Sequence, residues 1–138
     1  MKALYVIGLL LSSLVGVWHF FVPYLYQWSA YIPAEYESLM VGIDWINFFF
    51  SLLLLGYSAL LLAMIKQVFG GSKELLMMYG FMVFVWLARI AITVIRPWPL
   101  DPVPWVSYGQ QLASAVIFLL LFIPLVYLIR QRQKTLAP

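Results

Sequence analysis

Four long apolar segments constrain this chain more than any other feature of its sequence. They occupy residues 3–26, 39–65, 75–95 and 110–129, and each is bounded by charged residues or by proline and glycine. A helix needs about 20 apolar residues to cross the hydrocarbon core of a bilayer. The segments also lack the alternation of apolar and polar residues that is typical of a membrane barrel strand. We therefore predict an all-α fold, a bundle of four transmembrane helices.

The composition agrees with lipid as the main solvent and excludes several kinds of site. Of 138 residues, 65% are hydrophobic and 9% are charged, whereas a soluble domain carries roughly 25% charged residues. The length predicts one domain, residues 1–138. The chain has no cysteine and one histidine, so neither a thiolate metal site nor bis-histidine haem ligation is expected. No phosphate-binding loop or nucleophile-and-base motif is evident, which disfavours an enzyme without excluding one.

The distribution of Lys and Arg predicts the orientation in the membrane. The first connection, residues 27–38, contains Glu35 and Glu37 but no basic residue, and the third contains Arg96 and Asp101. The opposite side collects Lys2, Lys66, Lys73, Arg130, Arg132 and Lys134. Because basic residues are retained on the cytoplasmic side, both termini are expected there. The same rule explains the net charge of +3, so no nucleic-acid partner is expected.

A few polar residues lie inside the apolar segments, where each needs a partner, a water-filled cavity or a function. Asp44 lies roughly 7 Å and Arg89 roughly 10 Å inside the outer ends of their predicted helices. We therefore predict a buried Asp44–Arg89 ion pair, because a guanidinium can bind a carboxylate through two hydrogen bonds. The full set of candidate site residues is His19, Asp44, Asn47, Arg89, Gln110 and Gln111.

Helical spacing places two groups of these polar and small residues on single faces. Asp44, Asn47, Ser51 and Ser58 follow steps of three, four and seven, which put them on one stripe of the second helix. On the first helix, Gly8, Ser12 and Gly16 follow small-xxx-small spacing and lead up to His19. Such a stripe allows another helix to approach closely.

The polar cluster has two interpretations. It could lock the register of the helices, or it could border an outward-facing pocket in which Arg89 orients a polar ligand head and Asp44 or His19 exchanges a proton. The pocket interpretation predicts an amphipathic ligand, lipid-like or quinone-like, in the outer half of the bundle. The alternative is an accessory subunit that associates with a second copy or another membrane protein. No metal site is predicted.

The first half of the chain contains two features found together in a known group. The first helix ends in a His-bearing aromatic segment, Val17-Trp18-His19-Phe20-Phe21, and the second carries Gly42-Ile43-Asp44 and later Leu55-Gly56. In this order of features the chain resembles the DoxX-like group of small bacterial four-helix membrane proteins. The resemblance implies a multi-pass protein of the bacterial inner membrane, with links to quinone or redox chemistry in some members. No catalytic residue is carried over.

Overall fold

The computed structural model describes residues 1–97 and 104–136, and every regular element in these ranges is helical. The elements are α1 (Lys2–Leu25), α2 (Trp28–Tyr31), a 3-10 turn (Ala34–Tyr36), α3 (Glu37–Ala63), α4 (Ile65–Phe69), α5 (Lys73–Ile95) and α6 (Pro104–Leu136). Four helical segments, those of α1, α3, α5 and α6, are long and apolar enough to cross a membrane. The predicted all-α class and the four apolar helices are confirmed.

The ends of the helices differ from the predicted segments because hydropathy and helix propensity are separate properties. α6 begins at Pro104 and ends at Leu136, beyond the predicted 110–129. Its C-terminal extension contains Gln, Arg and Lys, which lower hydropathy but favour helix, and its start agrees with the preference of proline for the first helical position. The backbone turns at Met64, so the short α4 follows α3 as a separate element. Gly71, with a φ of 88°, makes the turn before α5 in a backbone conformation that favours glycine.

Residues Leu10–Leu60 form one compact unit, here called the hairpin unit. It contains most of α1 and α3 and the connection between them. Small residues line the helix contact: a Cβ on Gly16 would lie 2.9 Å from the backbone nitrogen of Leu55, and Ser58 Oγ donates to Ser12 Oγ at 2.9 Å. The close approach predicted from the small-residue stripe is therefore present in this unit.

The remaining residues, Met1–Leu9 and Leu61–Pro138, group into a second unit, here called the α5–α6 unit. The buried face of α5 consists of Leu75, Tyr79, Met82, Val83 and Trp86. In α6 the buried residues recur at alternating steps of three and four, as helices packed side by side require; they include Ser114, Ile117, Leu121, Pro124 and Leu128. Gly8 also lies close to α6, since a Cβ there would be 2.7 Å from Leu121 Cδ2.

Two tyrosine hydroxyls in the α5–α6 unit bind main-chain carbonyls of other helical segments. Tyr5 is fully buried and donates to the carbonyl of Leu61 at 2.6 Å. Leu61 lies in the last turn of α3, where carbonyl groups lose their intrahelical donors. Tyr79 donates to the carbonyl of Leu121. Its ring contacts the ring of Tyr5 edge to face, with 4.8 Å between centroids.

Three sequence predictions concern the whole chain and its place in a membrane, which the two separate units do not show. The single domain, the packing of all four helices in one bundle and the cytoplasmic termini stay predictions. Pro97, Pro99, Pro102 and Pro104 predict from the sequence a stiff third connection that caps the bundle; it lies for the most part at residues 98–103, outside the described residues.

Candidate functional site

A cavity of about 520 Å³ lies in the hairpin unit, where the C-terminal part of α1, the connection and the first turns of α3 meet. Its wall combines aromatic rings with a few polar side chains. The lining residues are Phe20, Pro23, Tyr24, Gln27, Ser29, Met40, Asp44, Trp45, Asn47 and Phe48. Two of the residues predicted from the sequence, Asp44 and Asn47, therefore share one cavity.

Asn47 is held in this wall by a hydrogen bond that a proline makes available. Pro23 lies inside α1 and has no N–H, so it cannot donate to the carbonyl of His19 four residues earlier. The side-chain amide of Asn47 donates to that carbonyl instead, at 2.7 Å. One N–H of the Asn47 amide thus replaces the missing backbone donor and links α3 to α1.

The polar stripe of α3 continues from Asn47 into the interior of the hairpin unit. Ser51 Oγ donates to the carbonyl of Asn47 at 2.6 Å, and Ser58 Oγ donates to the carbonyl of Leu54 at 2.7 Å. Both serines are fully buried. The stripe therefore begins at the cavity with Asp44 and Asn47 and becomes a structural contact further along α3.

Asp44 differs from the rest of its stripe because it is exposed. Its neighbour Trp45 is 66% exposed, and both residues contribute to the cavity wall. Asp44 is the one charged side chain among the described residues of this wall. The carboxylate is therefore accessible to a cation or a hydrogen-bond donor that enters the cavity.

His19 lies one turn before Pro23, and its ring bonds along its own helix. Ring Nδ1 is 2.8 Å from the carbonyl of Val15, and because a carbonyl only accepts, Nδ1 is the donor. The ring also contacts Phe50 edge to face, at 5.1 Å between centroids. His19 contributes its backbone carbonyl to the cavity region through Asn47, and its predicted role in proton exchange stays a prediction.

Arg89, Gln110 and Gln111 belong to the α5–α6 unit and form a separate polar cluster there. Arg89 Nε donates to Ser114 Oγ at 3.0 Å, and its guanidinium lies 5.8 Å from the ring centroid of Trp86. Ser114 Oγ in turn donates to the carbonyl of Gln110 at 2.8 Å. These contacts hold the guanidinium between α5 and α6.

The same cluster extends by one turn through the predicted glutamine. Gln111 Nε2 donates to the carbonyl of Thr93 at 3.2 Å, while Thr93 Oγ1 donates back to the carbonyl of Arg89 at 3.0 Å. In this cluster Gln111 contributes its side-chain amide and Gln110 contributes its main-chain carbonyl. Asp44 and Arg89 belong to different units, so the predicted ion pair between them stays a prediction.

Sequence reasoning did not identify several residues of the cavity and of the Arg89 cluster. Ser114 is 1% exposed and follows Gln110 by one turn, a spacing that could have indicated it. Gln27 has a left-handed backbone, with φ 49° and ψ 45°, which no motif in the sequence predicts. Tyr24 belongs to the interface-type aromatic residues of the sequence, and Phe20, Trp45 and Phe48 lie in apolar segments where a ring can equally contact the core or lipid, so composition alone does not distinguish them.

Comparison of the chain with protein-family models, with curated proteins and with solved structures gave no match. The resemblance to the DoxX-like group therefore stays a prediction based on the quoted segments.

Proposed function

We propose that this protein binds an amphipathic small molecule, lipid-like or quinone-like, in the cavity of the hairpin unit. The observation that carries the proposal is the cavity itself, with aromatic walls and the polar groups of Asp44 and Asn47. Ligand sites are typically concave, largely apolar and supplied with a few well-placed polar groups. The volume of about 520 Å³ lies within the roughly 300–1,000 Å³ of small-molecule pockets.

The polar groups of the wall suit the head of such a ligand. Asp44 accepts hydrogen bonds, and the hydroxyl of Ser29 both donates and accepts. The amide of Asn47 carries a second N–H besides the one that binds the His19 carbonyl. An apolar tail would then lie along the rings of the wall or extend into lipid.

The proposal includes the setting of the site in the membrane. The four helices are taken to form one bundle in a bacterial inner membrane, with both termini in the cytoplasm and the cavity in the outer half. The support is the distribution of Lys and Arg and, for the bacterial membrane, the resemblance to the DoxX-like group. A ligand could then enter from the outer leaflet.

An accessory subunit of a larger membrane complex is the second candidate function. Exposed aromatic residues on α5, such as Phe81 and Phe84, favour it, because they offer a face to lipid or to another protein. The small-residue stripe of α1 does not add to this argument, because Ser12 and Gly16 already contact α3 within the hairpin unit.

Native mass spectrometry of the protein in mild detergent, followed by extraction and identification of bound lipids, tests the proposal. The critical variant is Ser29→Trp, which places a large ring in the cavity wall. The matched control is Ala30→Trp, on the next residue of α2, which is exposed and is not a lining residue.

We expect a stoichiometric amphipathic molecule with the wild type and with Ala30→Trp, and its loss from a still-folded Ser29→Trp variant. Retention by both tryptophan variants would place any bound molecule elsewhere and contradict the proposal. A ligand-free protein recovered with a second polypeptide or as a defined oligomer would favour the accessory role.

A further inference from the structure

We infer that the cavity of the hairpin unit selects a ligand whose head is an ammonium group, carried on an acyl or alkyl chain. This inference rests on the proposed function and names the chemical class of its ligand. It predicts that the cavity prefers a cation over a neutral group of the same shape.

Charge is the first observation in support. Asp44 is the one charged side chain among the described residues that line the cavity, and no described Lys, Arg or His belongs to this wall. Asp44 is exposed at this wall, so an ammonium head can reach its carboxylate, and a cation close to a carboxylate is attracted more strongly beside apolar rings than in bulk water. A neutral quinone would leave the carboxylate without a counterion, and an anionic head would be repelled.

The aromatic rings of the wall are the second observation. Phe20, Tyr24, Trp45 and Phe48 all line the cavity, and the rings of Phe20 and Phe48 contact each other edge to face, with 5.5 Å between centroids. Aromatic faces attract cations through the ring quadrupole, and a cavity lined by several rings and one carboxylate suits a quaternary ammonium group. An ammonium head would use both the carboxylate and the aromatic rings of this wall.

Other polar residues of the wall also suit an ammonium group. Asn47 lines the same cavity and donates one amide N–H to the His19 carbonyl, while its amide oxygen is a hydrogen-bond acceptor. Gln27 and Ser29 also line the cavity, and both residues contain oxygen atoms that accept hydrogen bonds. A primary ammonium could donate to these oxygens, whereas a trimethylammonium would rely on Asp44 and the rings.

A pair of ligands that differ in charge alone tests the inference. Lauroylcholine carries a trimethylammonium head, and 3,3-dimethylbutyl laurate replaces that nitrogen by carbon with the same shape and chain. Dissociation constants for both would be measured by microscale thermophoresis with the full chain in a non-ionic detergent. Phosphatidylcholine would be added as a competitor. Displacement of lauroylcholine would indicate a bilayer headgroup as the source of the ammonium group, and no displacement would indicate a single-chain ligand.

Four variants complete the design. Asp44→Asn removes the charge and keeps the shape. Asp44→Glu keeps the charge, so binding by this variant would show that a substitution at this position does not by itself misfold the protein. Trp45→Leu removes one exposed ring from the wall. Glu35→Gln is the control, because it removes an exposed carboxylate from the connection that precedes α3, at a residue that does not line the cavity.

We expect the wild type and Glu35→Gln to bind the choline ester about tenfold more tightly than its carbon isostere, as ion pairing and cation–π contacts together allow. Asp44→Asn should abolish the preference, Trp45→Leu should reduce it, and Asp44→Glu should retain part of it. Equal binding of both esters by the wild type, or tighter binding of a short-chain quinone, would overturn the ammonium inference and leave the proposed function intact. Binding of neither ester nor any quinone would count against both.

Discussion

The link between Pro23, His19 and Asn47 shows how one residue determines the role of another that is distant in sequence. Proline removes a backbone donor inside α1, and the carbonyl it would have served accepts from the amide of Asn47 at 2.7 Å. A carbonyl left without a donor in an apolar region costs about 1–3 kcal/mol. The proline therefore gives Asn47 a structural function next to its place in the cavity wall.

This dependence predicts that a change at Pro23 rescues a change at Asn47. Asn47→Leu should lower the free energy of unfolding by about 1–3 kcal/mol, because the His19 carbonyl loses its donor. In the Pro23→Ala background the new N–H can serve that carbonyl, so the same change should cost markedly less. Thermal unfolding of the wild type, both single variants and the double variant measures this coupling; additive effects would contradict it.

Arg89 and Asp44 give a second prediction at this scale. The Nε of Arg89 donates to Ser114 at 3.0 Å, so Arg89→Leu and Ser114→Ala should be coupled by about 0.5–3 kcal/mol. If Asp44 instead serves a cationic ligand, Arg89→Leu and Asp44→Asn should be nearly additive. Unfolding of the two double-variant cycles in detergent distinguishes these cases.

If Asp44 and Arg89 instead form the ion pair predicted from the sequence, their substitutions should be strongly coupled. Arg89→Leu would then destabilise the protein by leaving Asp44 unpaired, and Asp44→Asn with Arg89→Gln would restore much of the loss. Strong coupling between Asp44 and Arg89 would therefore support the pair and count against the ammonium site.

At the scale of the helices, small residues determine how closely α1 and α3 pack. Gly16 lies against the backbone of Leu55, where a Cβ would be too close, and Ser12 hydrogen-bonds Ser58. Without a hydrophobic force between helices in lipid, such close packing supplies much of the association energy.

Two glycines of the hairpin unit should respond oppositely to alanine. A Cβ at Gly16 would lie 2.9 Å from a backbone atom of α3, so Gly16→Ala should force the helices apart and lower stability, whereas Gly56 has open space around it. Gly56→Ala should be neutral or should stabilise by up to about 1 kcal/mol through higher helix propensity. Thermal unfolding of both variants measures the contrast, and equal responses would contradict the described contact.

At the scale of the whole molecule, the proposed orientation determines from which side a ligand reaches the cavity. The connection that lines it carries acidic residues and no basic ones, and the connection between α3 and α5 carries Lys66 and Lys73. The positive-inside rule therefore assigns the two connections to opposite sides of the membrane.

The orientation can be tested by cysteine labelling, because the chain has no cysteine of its own. Ala34→Cys and Gln67→Cys place single thiols at exposed positions in the first and second connections. We expect a membrane-impermeant maleimide to label Ala34→Cys in intact spheroplasts. Gln67→Cys should be labelled only after the membrane is permeabilised. Labelling after lysis controls for thiol reactivity, and the reverse pattern would invert the proposed topology.

The sequence by itself determined the all-α class, the four apolar helices and the close-packing stripe of α1. These follow from composition and from spacing along one helix, since lipid requires long apolar segments whose backbone groups bond internally. The same local spacing placed Asp44, Asn47, Ser51 and Ser58 on one face of α3.

The tertiary structure decided which groups these faces meet. The cavity and its aromatic wall, the bond from Asn47 to the His19 carbonyl and the bond from Arg89 to Ser114 join residues on different helices. Such contacts depend on the rotation and the breaks of each helix, including the proline in α1 and the left-handed Gln27. Local periodicity contains no information on the partner across a helix contact. The residues that form the site were therefore identified from the tertiary structure.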